Sequence, residues 1–165
     1  MIKDILLSGT YLLAIQVRGL LRLFDRKHEP GVRALVVREH EVLLVQHRGG
    51  AFRWGLPGGA VAAGEPLDVA VKREVLEETG CLVQIQRLHG VFHSSHWNYA
   101  NYINVFVCEP LTEPQPPAND LEIATARYFP ITALPYDTDS STRCNVAQYL
   151  CGETQVVDLE PRKRR

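Results

Sequence analysis

Gly59-Ala60-Val61-Ala62-Ala63-Gly64-Glu65 runs through Pro66–Lys72 into Arg73-Glu74-Val75-Leu76-Glu77-Glu78-Thr79-Gly80-Cys81, and the reading of this stretch decides the fold. Its glycine-rich opening, preceded by Leu56-Pro57-Gly58, carries turn signals and predicts a loop over residues 49–64. Pro66 to Thr79 reads as a helix. Proline suits the first helical position, and Gly80 supplies a stop after the last turn.

Along that helix Leu67, Ala70 and Val71 form an apolar stripe, which Glu74, Glu77 and Glu78 continue at i, i+3 and i+4 spacing. Val69 and Leu76 are apolar on the opposite side, so the pattern predicts a helix buried between layers, with its glutamates turned into a cleft. Three carboxylates that close repel one another. At ~5 Å and an effective dielectric of ~20, each pair costs roughly 3 kcal/mol before screening. Arg73, the nearby arginine, sits about 100° around the helix from Glu74. A hard divalent cation with oxygen ligands relieves the repulsion, and magnesium favours few carboxylates plus substrate phosphates. The bland alternative is a solvated acidic helix face.

The segment resembles the Nudix box: a glycine, five residues, a glutamate, seven residues, then Arg-Glu-aliphatic-x-Glu-Glu-x-Gly-aliphatic. Gly59, Glu65, Arg73, Glu74, Val75, Glu77, Glu78 and Gly80 match, and only Cys81 departs, a small hydrophobe where an aliphatic residue is usual. A chance match of this kind is rarer than about one in a million chains. The strand order around the box and Trp54-Gly55-Leu56-Pro57-Gly58 before it are also similar to the family, which extends the resemblance from Gly31 to Leu150. It implies an α/β/α sandwich with a mixed sheet, to which this chain adds an N-terminal amphipathic helix.

The resemblance also implies roles. Glu74 and Glu78 are the leading metal ligands, together with the backbone carbonyl of Gly59 or its neighbour. Glu77 is a ligand or the base that orients water, and Arg73 holds Glu65 or another glutamate in place. The implied cofactor is magnesium, with manganese as a substitute. The implied reaction is hydrolysis of the diphosphate in a nucleoside diphosphate linked to another moiety. A triphosphate-sanitising pyrophosphohydrolase is the runner-up, and a domain that only binds nucleotide is the third reading.

Working outward, Val32–Arg38 and Glu41–Arg48 are β-rich runs around a polar turn at Glu39-His40, which predicts an antiparallel hairpin. Leu82–Phe92, Asn101–Cys108 and Thr125–Phe129 are further strand candidates. Residues 109–119 hold four prolines and read as an irregular connection. Asp139 or Ser140 is placed to cap a last helix ending near Leu150. The domain expectation is an N-terminal helix and connection over 1–28, the hydrolase domain over 29–152, and a polar, basic tail over 153–165.

Further candidates lie outside the box. Glu122 stands where family members place an extra loop glutamate, against its reading as an ordinary exposed acid. Arg48 suits a phosphate or a strand-end surface position. Trp54 closes the loop over the cleft or simply packs. His93 and His96, three apart, lack a third ligand for zinc and read as substrate-facing or exposed. Tyr99, with Trp97 and Tyr102, stacks on a base or belongs to the core.

A formal net charge of −1 provides no global field toward nucleic acid or anionic membranes, so a small nucleotide-like substrate is the expected partner. The four cysteines form no Cys-x-x-Cys pair, which argues against a zinc site and for free thiols in a reducing cytoplasm. Ile5 to Phe24 is apolar but interrupted by Ser8, Gly9, Thr10, Gln16, Arg18, Gly19 and Arg22, too polar for a membrane span. No signal-peptide cleavage site follows it. Leu6, Leu13, Val17, Leu20 and Phe24 fall on one helical stripe, which packs on the domain or on a second subunit as a homodimer. A membrane-surface helix is the alternative.

Overall fold

The computed structural model describes residues 30–48, 54–94, 101–116 and 123–153. Six strands and two helices alternate as β1 (Gly31–Arg38), β2 (Glu41–His47), β3 (Trp54–Gly55), α1 (Leu67–Thr79), β4 (Val83–Ser94), β5 (Asn101–Pro110), β6 (Ile123–Pro130) and α2 (Ser140–Leu150). The strands run in the order β3-β2-β1-β5-β4, with β6 paired to the other edge of β2. β1 and β5 are parallel and the remaining pairs antiparallel, so the sheet is mixed, as expected.

The β1–β2 hairpin closes around its predicted turn but stays paired only at Val37↔Val42 and Arg38↔Glu41. Beyond that the two strands part like a fork, and residues 54–61 fill the opening. β3 pairs with β2 at Val45↔Gly55 and Gln46↔Trp54. A few residues later Pro57 and Gly59 accept hydrogen bonds from Ala34 and Val32 of β1, and Val61 donates back to Pro30, each at 2.9 Å. The glycine loop is therefore held by main-chain hydrogen bonds on both sides. At Gly58 the chain turns at φ 142°, where an added Cβ would collide with the Val32 carbonyl, so only glycine fits.

Alternation along the strands gives the sheet two apolar faces. On one, Val32, Ala34, Val36, Leu43, Phe106 and Cys108 meet Ala70, Val71 and Val75 of α1. On the other, Leu35, Leu44, Val105 and Val107 meet Val146 of α2 and Trp54. Pro66 caps α1 in extended conformation, and Gly80 ends it at φ 66° with its N–H on the Leu76 carbonyl. Asp139 caps α2, accepting the Thr142 N–H at 2.8 Å. All four cysteines are free, and burial pushes the Cys108 thiol up to about 12. Among the described residues no helix is long and apolar enough to cross a membrane.

One packing expectation is corrected. α1 is buried on a single face, and Val69 and Leu76 are 48% and 45% exposed. Apolar residues on two sides of a helix signal two covered faces only where a second layer exists, and among the described residues the sheet covers one face of α1.

Candidate active site

The fork brings the same end of every long strand together. Gly31 begins β1, His47 ends β2 beside the first residue of β6, and Tyr102 near the start of β5 pairs with His93 at the end of β4. The glycine loop and the last two turns of α1 meet at this end. Gly58 donates its N–H to Glu78 Oε2 at 2.8 Å. At Gly59 an added Cβ would lie 2.6 Å from Glu74 Oε2, so the missing side chain is what lets that carboxylate seat against the loop backbone.

Arg73 sits in the middle of the acidic cluster. Its Nε and Nη2 donate to the two Glu65 oxygens, both at 2.8 Å, and Nη1 donates to Glu74 Oε1 at 2.6 Å and Glu77 Oε2 at 3.0 Å. Nη2 also reaches the Ala60 carbonyl at 3.2 Å. The helical angle from Glu74 understated this reach, because the long side chain curls back over the loop. The pairing with Arg73, helped by the Ala62 N–H, holds the Glu65 carboxyl down at about 2. The Arg73 guanidinium is pushed up, first by Glu65 and then by Glu74. Glu65 is thus an anchor, and Glu77, with its side chain 59% exposed, is the carboxylate most open to solvent.

Among the described residues no three His, Cys, Asp or Glu side chains converge into a metal site as they stand. The donor set nevertheless suits a hard divalent cation: Glu74 and Glu78 seat against adjacent loop glycines, Glu77 follows Glu74 by about one helical turn and directly precedes Glu78, and all offer oxygen. The Gly59 carbonyl is turned to β1, accepting the Val32 N–H at 2.9 Å. The neighbouring Ala60 carbonyl is engaged as well, accepting from Arg73 Nη2.

The remaining candidates divide. Arg48 follows β2 at the fork's mouth, and His93 stacks obliquely on Tyr102 with ring centroids 5.5 Å apart at the same end of the sheet. Trp54 is buried, 8% exposed and edge-on to Phe129 at 4.6 Å, which is the packing reading rather than the cleft-closing one. Its backbone is already spent in β3, so its ring turns into the α2-side core. Glu122, His96, Trp97 and Tyr99 lie outside the described residues. Sequence reasoning missed His89, a fully buried imidazole at a bulge in β4, because a bulge leaves no trace in alternation.

The family model that matches this chain is the NUDIX domain, over residues 27–149. A MutT-like protein of Streptomyces ambofaciens is 37% identical over 83 residues, covering 50% of this chain and 53% of that one. An ADP-ribose pyrophosphatase of Methanocaldococcus jannaschii is 35% identical over 65 residues, covering 38% of each. The chain thus spans about half or less of the length of these curated relatives. Among solved structures, a MutT NUDIX hydrolase from Burkholderia pseudomallei superposes with a TM-score of 0.65 at 26% identity, over 73% of this chain and 96% of that one.

Proposed function

The chain belongs to the NUDIX family, and from that premise we propose that it is a divalent-metal-dependent hydrolase of a nucleoside diphosphate linked to another moiety. The observation that carries this reading is the seating of Glu74 and Glu78 against Gly59 and Gly58, directly beside the solvent-open Glu77.

In this reading Glu74 and Glu78 hold magnesium or manganese with a loop carbonyl, and Glu77 is a further ligand or the group that accepts a proton from water. The ion, when bound, lowers the pKa of water and neutralises charge on the leaving phosphate. Arg73 fixes the direction of the Glu74 carboxylate, and Glu65 fixes Arg73, the supporting arrangement that tunes ligands without touching substrate. Arg48 at the mouth of the fork contacts a phosphate, and His93 faces the substrate's other half. Glu122, which directly precedes Ile123 in the sequence, is the further acid of this reading. The named activity of the Methanocaldococcus relative supports a sugar-linked nucleoside diphosphate as the substrate class. Work in the cytoplasm fits four free cysteines.

A panel of nucleotide sugars, dinucleotides and nucleoside triphosphates with magnesium tests the reading. Two monophosphate products from a linked diphosphate are expected. Release of pyrophosphate from triphosphates alone would move the assignment to the sanitising alternative. Absence of hydrolysis across the panel with either magnesium or manganese would leave only nucleotide binding.

A further inference from the structure

Thr79 fills the position of the box between Glu78 and Gly80, where the pattern sets no residue type. Threonine is among the weaker helix formers, so helix propensity does not explain it. Its side chain is fully buried, and its hydroxyl must therefore find partners inside the protein. It finds two. Oγ1 donates to the Val75 carbonyl at 2.6 Å and accepts the Cys81 N–H at 3.1 Å. The Thr79 carbonyl, one of the last four of α1 and so without a helical partner, accepts the Gln115 N–H at 2.7 Å.

Gln115 belongs to the connection that follows β5, and that connection is laid across the end of α1. The Leu82 N–H donates to Thr112 Oγ1 at 2.9 Å and the Cys81 thiol to the Thr112 carbonyl at 3.0 Å. The Leu111 N–H donates to the Leu82 carbonyl at 2.7 Å. At Gly80 an added Cβ would collide with the Gln115 carbonyl, so the helix stop is also a point of close approach. Thr79 faces both ways. Its hydroxyl closes the last turn of α1 on the residue that follows the stop, and its carbonyl ties that turn to the connection.

The same turn carries Glu77 and Glu78. Helix ends fray where their orphan groups lack partners. Glu78 directly precedes Thr79, and its Oε2 accepts the Gly58 N–H at 2.8 Å, so a shift of the helix end would carry that carboxylate off the loop. We propose that Thr79 is a positioning residue of the carboxylate cluster. By locking the last turn of α1 to the Leu111–Gln115 connection, it sets where Glu77 and Glu78 present their oxygens to a divalent cation. This role rests on the reading of those glutamates as metal-site carboxylates. Thr79 acts through the helix end and does not itself touch the ion.

Two measurements on the full chain without nucleotide test this: Mn2+ binding, read from the electron paramagnetic resonance of the free ion, and amide hydrogen exchange without metal. Thr79→Val keeps the size and loses the hydroxyl, whereas Thr79→Ser keeps the hydroxyl. Thr79→Val is expected to weaken Mn2+ binding by at least about tenfold. It should speed exchange in peptides spanning 76–82 by about tenfold as well. Thr79→Ser should stay within about threefold of the unaltered chain in both. Should Thr79→Val fail to fold, Gln115→Pro carries the same expectation, removing the N–H of the connection at an exposed position flanked by Pro114 and Pro116. Mn2+ affinity that holds while exchange quickens would make the contact purely structural and overturn the proposal. So would unchanged exchange, or a Thr79→Ser chain that binds as weakly as Thr79→Val. An unaltered chain that takes up no Mn2+ would remove the metal reading, and this role with it. Absence of hydrolysis by a chain that binds Mn2+ would count against the reaction alone, since neither measurement contains substrate.

Discussion

The two faces of the sheet are built on opposite principles. Under α1 the interlayer is largely dry: the helix packs on β1, β4 and β6, and aliphatic side chains fill most of the space, with the buried, unpartnered Tyr128 hydroxyl a polar exception at its edge. Under α2 the helix stands further off, and the interlayer holds His89, Thr138, Asn145 and Gln148, all at least nine-tenths buried. Among the described residues neither His89 nitrogen makes a hydrogen bond of good geometry, although the Asn145 main chain acts on the ring, and the Thr138, Asn145 and Gln148 side-chain oxygens lack a partner. Native interiors leave few such groups unpaired. The dry face is therefore a rigid bed for the glutamate cluster, as the proposed metal site would require, since ligands must be held to fractions of an ångström. The polar face is the one with room to change.

Breaking chemistry on the α1 side should give the largest effect. Glu77→Gln is expected to lower turnover by at least ~100-fold with the melting temperature nearly unchanged, the scale of removing a catalytic acid–base group. Steady-state rates near those of the unaltered chain would take Glu77 out of the reaction. Next comes packing. Val75→Ala, under the acidic cluster in the dry interlayer, should cost about 2 kcal/mol in urea unfolding. A loss under about 0.5 kcal/mol would mean that this face is not close-packed.

The same measurement on the polar side should look different. Gln148→Leu removes an unpartnered buried oxygen, so stability is expected to stay within about 1 kcal/mol or to rise. A loss as large as that of Val75→Ala would show that the interlayer polar groups are satisfied by ordered water. The smallest effect concerns pH. Burial, then the nearby Arg87 charge, lower the His89 pKa from 6.5, with the Asn145 main chain pulling the other way. The unfolded chain then binds a proton more readily than the folded one, so stability is full above about pH 6.5 and falls as pH drops toward the folded value. His89→Gln should flatten that part of the stability profile, and an unchanged slope between pH 7 and pH 5 would assign it to other groups.

How much of this could be read in the chain alone depends on whether a feature is local. The box and its helix are local: proline, glycine and glutamate at fixed intervals name their own positions, and the helix ends within a residue of expectation. The cap at Asp139 is local as well. β3 was invisible because two residues inside a glycine loop become a strand only by pairing with Val45 and Gln46. The forked hairpin escaped notice for the same reason, since unbroken β-rich runs do not reveal where two strands separate. The helical angle alone put Arg73 away from Glu74; the resemblance gave it Glu65 or another glutamate to hold, and its length and flexibility bring it among three. The exposed Val69 and Leu76 were misjudged because sequence records that a residue is apolar but not what lies opposite it.

The forked hairpin has a consequence for how this site tolerates change. Because the loop is gripped through Pro57, Gly59 and Val61 by backbone atoms, and through the Val61 side chain on the core, the exposed side chains of Ala60, Ala62 and Ala63 contribute little to its placement. A randomised library over Ala60, Ala62 and Ala63 should retain many working members, while position 58 accepts glycine alone and a side chain at 59 would push the Glu74 carboxylate off its seat. Diversity can accumulate in this loop while its backbone goes on holding the Glu74 and Glu78 carboxylates.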